Sequence, residues 1–167
     1  DEFGHSVAID GDTIVVGAKN DGHNKYGGIT HTCYSGSGAA YVFRTSDGGA
    51  TYDQVAKLTA ADAASWDHFG SSMAIAGGTV VVGAPNYWMG GSGSVYVFRT
   101  SDGGATYAQV AKLTASDATS SDRFGAFVAI DGDTIVVSTY YKGAAYVFRT
   151  TDDGGTWSEV AKLVTSD

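Results

Sequence analysis

DEFGHSVAIDGDTIVVGAK, running from Asp1 to Lys19, returns as DHFGSSMAIAGGTVVVGAP from Asp67 to Pro85 and as DRFGAFVAIDGDTIVVSTY from Asp122 to Tyr140. Self-similarity at this scale marks a repeat architecture, in which one supersecondary unit is copied and stacked. Apolar and small or polar residues alternate through each copy, the period-two pattern of a strand with one face toward a core. In the first copy the pattern breaks at Asp10-Gly11, a two-residue hairpin signal that accepts positive φ at little cost. Ser6 to Ile9 and Thr13 to Gly17 are therefore predicted as antiparallel neighbours, and Gly77 with its neighbours makes the same turn in the second copy.

Further along each copy, AYVFRT at Ala40 returns as VYVFRT at Val95 and AYVFRT at Ala145. It predicts a third strand over Ala39 to Arg44. TSDGGATY follows from Thr45 and again from Thr100, with TTDDGGTW from Thr150, and turns the chain into a fourth strand over Gln54 to Leu58. Such a four-stranded meander cannot bury both faces alone and must stack on copies of itself; radial stacking makes propeller blades, with solenoid stacking the competing geometry. The predicted fold is all-β: three four-stranded antiparallel meanders forming a partial propeller or half of a six-bladed ring. Residues 1–167 are read as a single propeller segment, with blade one at 1–66, blade two at 67–121 and blade three at 122–167.

Composition agrees. Twenty-four glycines against one proline, without a three-residue period, suit many tight turns. At 43% hydrophobic content, 167 residues can bury a core. The formal charge of −8 argues against a nucleic-acid partner, and no apolar run approaches the ~18 residues of a membrane span. The single cysteine, Cys33, cannot form an internal bridge. The chain starts at Asp1 without a basic-then-apolar leader or initiator methionine, and is read as a processed form or a segment of something longer.

The stretches Phe3 to Ala18 and Phe69 to Pro85 resemble FG-GAP repeats, the blade unit of the integrin α-subunit propeller. The full Gly-Ala-Pro stands only at Gly83 to Pro85; Gly17-Ala18-Lys19 and Ser138-Thr139-Tyr140 depart from it. The resemblance implies an extracellular or cell-surface module used in adhesion. In that family many blades hold calcium in an elongated first hairpin rich in carboxylates, as befits an ion needing six to eight oxygen ligands. Here the hairpin is cut to two residues, so Asp10, Asp12, Asp131 and Asp133 are read as turn formers. No cofactor or metal is expected, calcium being the one the resemblance leaves open. The second hairpin is similar to an Asp-box, with Asp47, Asp102 and Asp152 in register; a structural part is expected for these, the carboxylate accepting backbone N–H bonds within its turn.

Residues found at all three equivalent positions are explained by the scaffold, so recognition is sought among the rest. The aromatics that do not repeat, Phe127 apart, are Tyr26, Tyr34, Trp66, Tyr87, Trp88, Tyr140 and Tyr141. They lie between the second and third strands or between blades, connections that emerge on one face of an up-and-down blade. Loops of variable length on a rigid frame commonly carry recognition, and tyrosine and tryptophan offer area with a polar handle. His23, His31 and Cys33 near Asp21, in the loop from Lys19 to Ser37, give only weak metal spacing on a glycine-rich segment.

A glycosidase would need a carboxylate pair, and a sialidase an arginine cluster as well. Glu2 and Glu159 are the only glutamates and most arginines repeat, so no catalytic residues are assigned and the chain is read as not an enzyme. The expected function is a non-enzymatic extracellular recognition or adhesion module that binds a glycan or protein through its aromatic loop face. The alternative is an assembly element, or a fragment of a larger propeller, that self-associates or pairs with further blades to close a ring. Apolar flanks near Phe3 and Trp157 are expected to lie open.

Overall fold

The computed structural model describes residues 1–22, 36–87 and 90–166. Blade one comprises β1 (Phe3–Asp10), β2 (Thr13–Ala18), β3 (Ala39–Arg44) and β4 (Asp53–Leu58); blade two comprises β5 (Ser72–Ala76), β6 (Thr79–Ala84), β7 (Ser94–Arg99) and β8 (Ala108–Leu113); blade three comprises β9 (Phe127–Asp131), β10 (Thr134–Ser138), β11 (Ala145–Arg149) and β12 (Ser158–Leu163). Each blade is one antiparallel sheet with its strands in chain order, and the three blades do not close a ring. The first strands lie side by side, β5 between β1 and β9, as in a propeller. No helix among the described residues is long and apolar enough to cross a membrane.

Local chemistry accounts for the strands and turns. Asp10 pairs with Thr13, so the hairpin residues are Gly11 and Asp12, one place later than the Asp10-Gly11 signal suggests. Gly11 takes φ +53°, a left-handed value glycine adopts without steric cost. Asp10 instead reaches across the blade interface, its Oδ2 accepting from the Gly77 amide at 2.7 Å. The third and fourth strands share an irregularity in every blade, at Val42/Phe43, Val97/Phe98 and Val147/Phe148. An extra residue placed there in each copy twists the outer strand in the same way.

The Thr-x-Asp-x-Gly-x-Thr turns repeat almost atom for atom. The Asp47 carboxylate accepts from the Thr51 amide at 2.9 Å, the Thr51 hydroxyl at 2.7 Å and the Thr45 hydroxyl at 2.8 Å. Asp102 and Asp152 take the same bonds from Thr106 and Thr100, and from Thr156 and Thr150. Donors aimed at the ionised form hold all three carboxyls below the usual carboxylate range, Asp152 at about 2. A folded pKa below the unfolded one gives stability that is present above the unfolded value and lost as pH falls toward the folded value. The wild-type chain should therefore lose stability between about pH 4 and pH 2, and Asp152→Asn should flatten that loss. Melting temperature against pH reads it; an unchanged acid slope in the variant would remove the claim.

The cores lie between blades rather than within them. One joins Val15, Val42 and Leu58 to Phe69, Val80, Val82, Tyr96 and Phe98; the second joins Val81, Val97 and Leu113 to Phe124, Ile135, Val137, Tyr146 and Phe148. Phe69 and Phe124 are 0% exposed, each packed against the tyrosine and phenylalanine of its own blade's third strand, edge-on but for the tilted Phe69–Tyr96 pair, and covered by the preceding blade. Full burial of such a ring is worth about 1.5–3 kcal/mol. Phe3 makes the same contacts with Tyr41 and Phe43, at 5.5 and 6.1 Å, yet is 56% exposed because no blade stands before it.

The open flank near Phe3 is as expected; the one near Trp157 is not. Trp157 packs into the core between blades two and three, its Nε1 donating to the Gly154 carbonyl. The ring closing the turn of each blade faces the preceding blade, so the other open flank is that of Phe127, Val160, Leu163 and Val164.

Candidate functional site

A strand pair needs its connections out of the way of its ladder, and in each blade the β2–β3 connection and the link to the next blade leave from the end opposite the two short hairpins. Of the aromatics placed there from sequence, Trp66, Tyr87, Tyr140 and Tyr141 lie among the described residues; Tyr26, Tyr34 and Trp88 lie outside them, as do His23, His31 and Cys33. The structure joins the four into one row. Trp66 meets His68 edge-on at 6.1 Å and His68 meets Tyr87 at 5.2 Å. The Arg123 guanidinium lies 4.6 Å from the ring centres of both Tyr87 and Tyr141 and 5.7 Å from that of Tyr140, which packs edge-on against Tyr141 at 5.0 Å. Tyr87, Tyr140 and Tyr141 are all exposed.

Two residues that complete this row, His68 and Arg123, were not among the sequence candidates. Both are the second letter of the Asp-x-Phe-Gly string, with Glu2 the equivalent in blade one. All three sit in the left-handed region, φ +52° at Glu2, +55° at His68 and +54° at Arg123. That conformation is costly for a side-chain-bearing residue, and the fold imposes it on the variable letter in all three blades. The available signal was that this is the one varying position inside an otherwise constant tetrapeptide. Counting aromatics alone passes over it.

Beside the row, Glu2, Lys19, Asn20, Trp66, His68 and Tyr87 line a shallow cleft of about 290 Å³. Glu2 is held there by Lys19 at 3.1 Å and by the Asn20 side-chain amide at 2.6 Å. Burial pushes the His5 imidazole down, with Lys19 adding to the effect, and the Lys19 cation itself is paired with Glu2. Arg123 is the contrast: stacked between tyrosines, it leaves its planar fork of N–H donors without an ion pair among the described residues. Such a group can stack and hydrogen-bond at once.

A second cavity, about 360 Å³, lies nearby and contains Asp62, Asp67, Asn86 and Lys112. Burial pushes the Asp67 carboxyl up, whereas Lys112 and the Tyr96 hydroxyl hold Asp62 down. Carboxyls pushed apart in this way can divide acid and base work. Repetition argues for the scaffold instead. Tyr96 and Lys112 bond Asp62, Tyr146 and Lys162 bond Asp117, and Tyr41 and Lys57 bond Asp21. Asp67 receives the Ala64 amide just as Asp122 receives that of Thr119, both at 2.8 Å. Burial also pushes the Tyr96 phenol up to about 12, leaving it neutral as a donor to Asp62. A feature built three times over fastens each outer strand to a loop. Among the described residues no three His, Cys, Asp or Glu side chains gather as a metal site.

A family model described as FG-GAP repeat matches residues 1–43, 52–98 and 107–148. Each match after the first begins on the outer strand of one blade and ends on the third strand of the next, so the family's repeat is out of phase with the sheets and omits the Thr-x-Asp turns. No curated protein matches. Among solved structures, the crystal structure of Saccharomyces cerevisiae Sqt1 is similar, with a TM-score of 0.61 at 12% identity over 99% of this chain and 37% of that one. At that identity the likeness is one of fold alone. The chain spans little more than a third of that relative's length.

Proposed function

Since the chain belongs to the FG-GAP repeat family, we propose that it is a non-enzymatic extracellular recognition module that binds a glycan on its loop face. The supporting observation is the row of Trp66, His68, Tyr87, Arg123 and Tyr141, which crosses from one blade to the next on a rigid frame. Rings of tyrosine and tryptophan offer flat apolar faces to the C–H face of a sugar, while their polar edges and the arginine fork reach its hydroxyls and carboxylates. The scaffold takes up the titrating carboxylates of the neighbouring cavity, which favours binding over turnover. A protein loop is the second ligand such a face suits, since tyrosine, tryptophan and arginine are the residues on which interfaces most often depend.

The test is a screen of the chain against an array of neutral and acidic glycans, repeated with Arg123→Ala and with Tyr87→Ala/Tyr141→Ala. These residues are exposed or half-buried, so the melting temperature should hold while binding falls at least about tenfold, the equivalent of ~1.4 kcal/mol. Binding left unchanged by all of these substitutions would end the proposal.

A further inference from the structure

The two interfaces inside the chain show what lets one blade receive the next. A serine on the first strand and a glycine paired with it on the second form a seat: Ser6 with Gly17, and Ser72 with Gly83. Into it fits the Phe-Gly turn of the following blade. Ser6 Oγ donates to the Gly70 carbonyl at 2.7 Å and Ser72 Oγ to that of Gly125 at 2.8 Å. A Cβ on Gly17 would lie 2.1 Å from the Gly70 carbonyl oxygen, and one on Gly83 would lie 2.2 Å from that of Gly125. Only glycine leaves room, because the atom opposed is backbone. At the far end of each interface the arginine closing the third strand clasps the next blade's Thr-x-Asp turn, Arg44 at the Gly103 carbonyl and Arg99 at Asp153.

Each half of this joint survives unequally at the open flanks. On blade one the incoming half is intact: Phe3 lies on Tyr41 and Phe43, and Gly4 holds φ +90°, matching +90° at Gly70 and +92° at Gly125. Around it Val7, Ile9 and Tyr52 stand exposed where Met73, Ile75 and Tyr107 are packed into the first core. On blade three the seat is altered. Phe127 stands where Ser6 and Ser72 stand, and its pairing partner is Ser138 in place of glycine. Phe127 is 68% exposed, and the Ser138 Cβ occupies the space an incoming carbonyl would need.

A further difference bears on where the missing blade comes from. In blades two and three the aspartate bonded to the Tyr–Lys pair, Asp62 or Asp117, is supplied by the link from the preceding blade. In blade one that place is filled by Asp21 of the blade's own β2–β3 connection, 2.6 Å from the Tyr41 hydroxyl and 2.7 Å from Lys57. A blade arriving through a covalent link would bring a second carboxylate to an occupied position.

We propose that the open face of blade one docks, in trans, an FG-GAP blade of another polypeptide that carries the serine–glycine seat and a terminal arginine on its third strand. A second copy of this chain does not serve, because its free edge presents Phe127 and Ser138. The probe is the chain's own variant F127S/S138G, which rebuilds the seat. Wild type, variant and each combined with F3D are compared by light scattering over a concentration series. The expected result is association that depends on Phe3 in the variant alone, with particles of at least twice the 17.2 kDa chain mass. Phe3-dependent association of the wild type, or its absence from the variant, overturns the proposal. Circular dichroism melting verifies that the variant folds; if the double variant does not, S138G alone carries the test, since the glycine contact is the closest.

Discussion

Replacing Phe124 with alanine should lower the stability of the chain by about 3–5 kcal/mol, while the same change at Phe3 should cost no more than about 1 kcal/mol. The two residues occupy the same place in the repeat and touch the same kinds of ring on their own blades. They differ in what lies above them. Phe124 is sealed beneath Val81, Val97 and Leu113 of blade two, so its removal opens a cavity that the surrounding strands can close only in part. Phe3 faces water and leaves no cavity behind. Urea unfolding of both variants measures the contrast, with the slope against denaturant checked for constancy. Equal losses at the two positions would mean that blade one is covered in solution, or that the blades do not pack as described.

Gly83→Ala should be among the most damaging single methyl groups that can be added at a blade interface, costing about 1–3 kcal/mol or more. Its Cβ would lie 2.2 Å from the Gly125 oxygen and the same distance from Ser72 Oγ, which itself bonds that oxygen. The serine can turn away, but then the Gly125 carbonyl loses its partner. The backbone cannot yield without lifting Phe124 from its pocket. Repeat arrays are held by nearest-neighbour interfaces, so damage at one should spread toward the nearer end of the array. Hydrogen exchange should show protection lost across β9 to β12 and largely kept in β1 to β4. Uniform loss over all three blades would contradict an array of separable interfaces.

Much of the architecture was legible from sequence because it rests on local chemistry. The spacing of β-branched residues, the glycines of the hairpins and the Thr-x-Asp turns act over a few residues. They recur wherever the letters recur, and three recurrences leave little ambiguity. The first hairpin lies one residue later than its Asp-Gly letters suggest, and it does so in all three blades; the bond from the Gly77 amide to Asp10 across the interface is a contact local reading cannot contain. Subtraction of the repeats placed seven aromatics on the loop face, and four of them, Trp66, Tyr87, Tyr140 and Tyr141, fall there within the described residues. It missed His68 and Arg123 because a lone histidine and a lone arginine carry no periodic signal; only the folded chain sets them beside Tyr87, the histidine buried beneath the row and the arginine partly exposed.

The letters alone thus determined that there are three blades, where their strands run and how each Thr-x-Asp turn is bonded, since those outcomes depend on short-range sterics and hydrogen bonds. Tertiary structure decided which copy of each residue is covered. Phe3, Phe69 and Phe124 have the same local surroundings and very different exposure, because burial is set by the neighbouring blade and not by the chain on either side. It also decided that Arg123 would lie between two tyrosines from different blades, and that Phe127 and Ser138 would meet at the one edge where every other blade keeps serine and glycine.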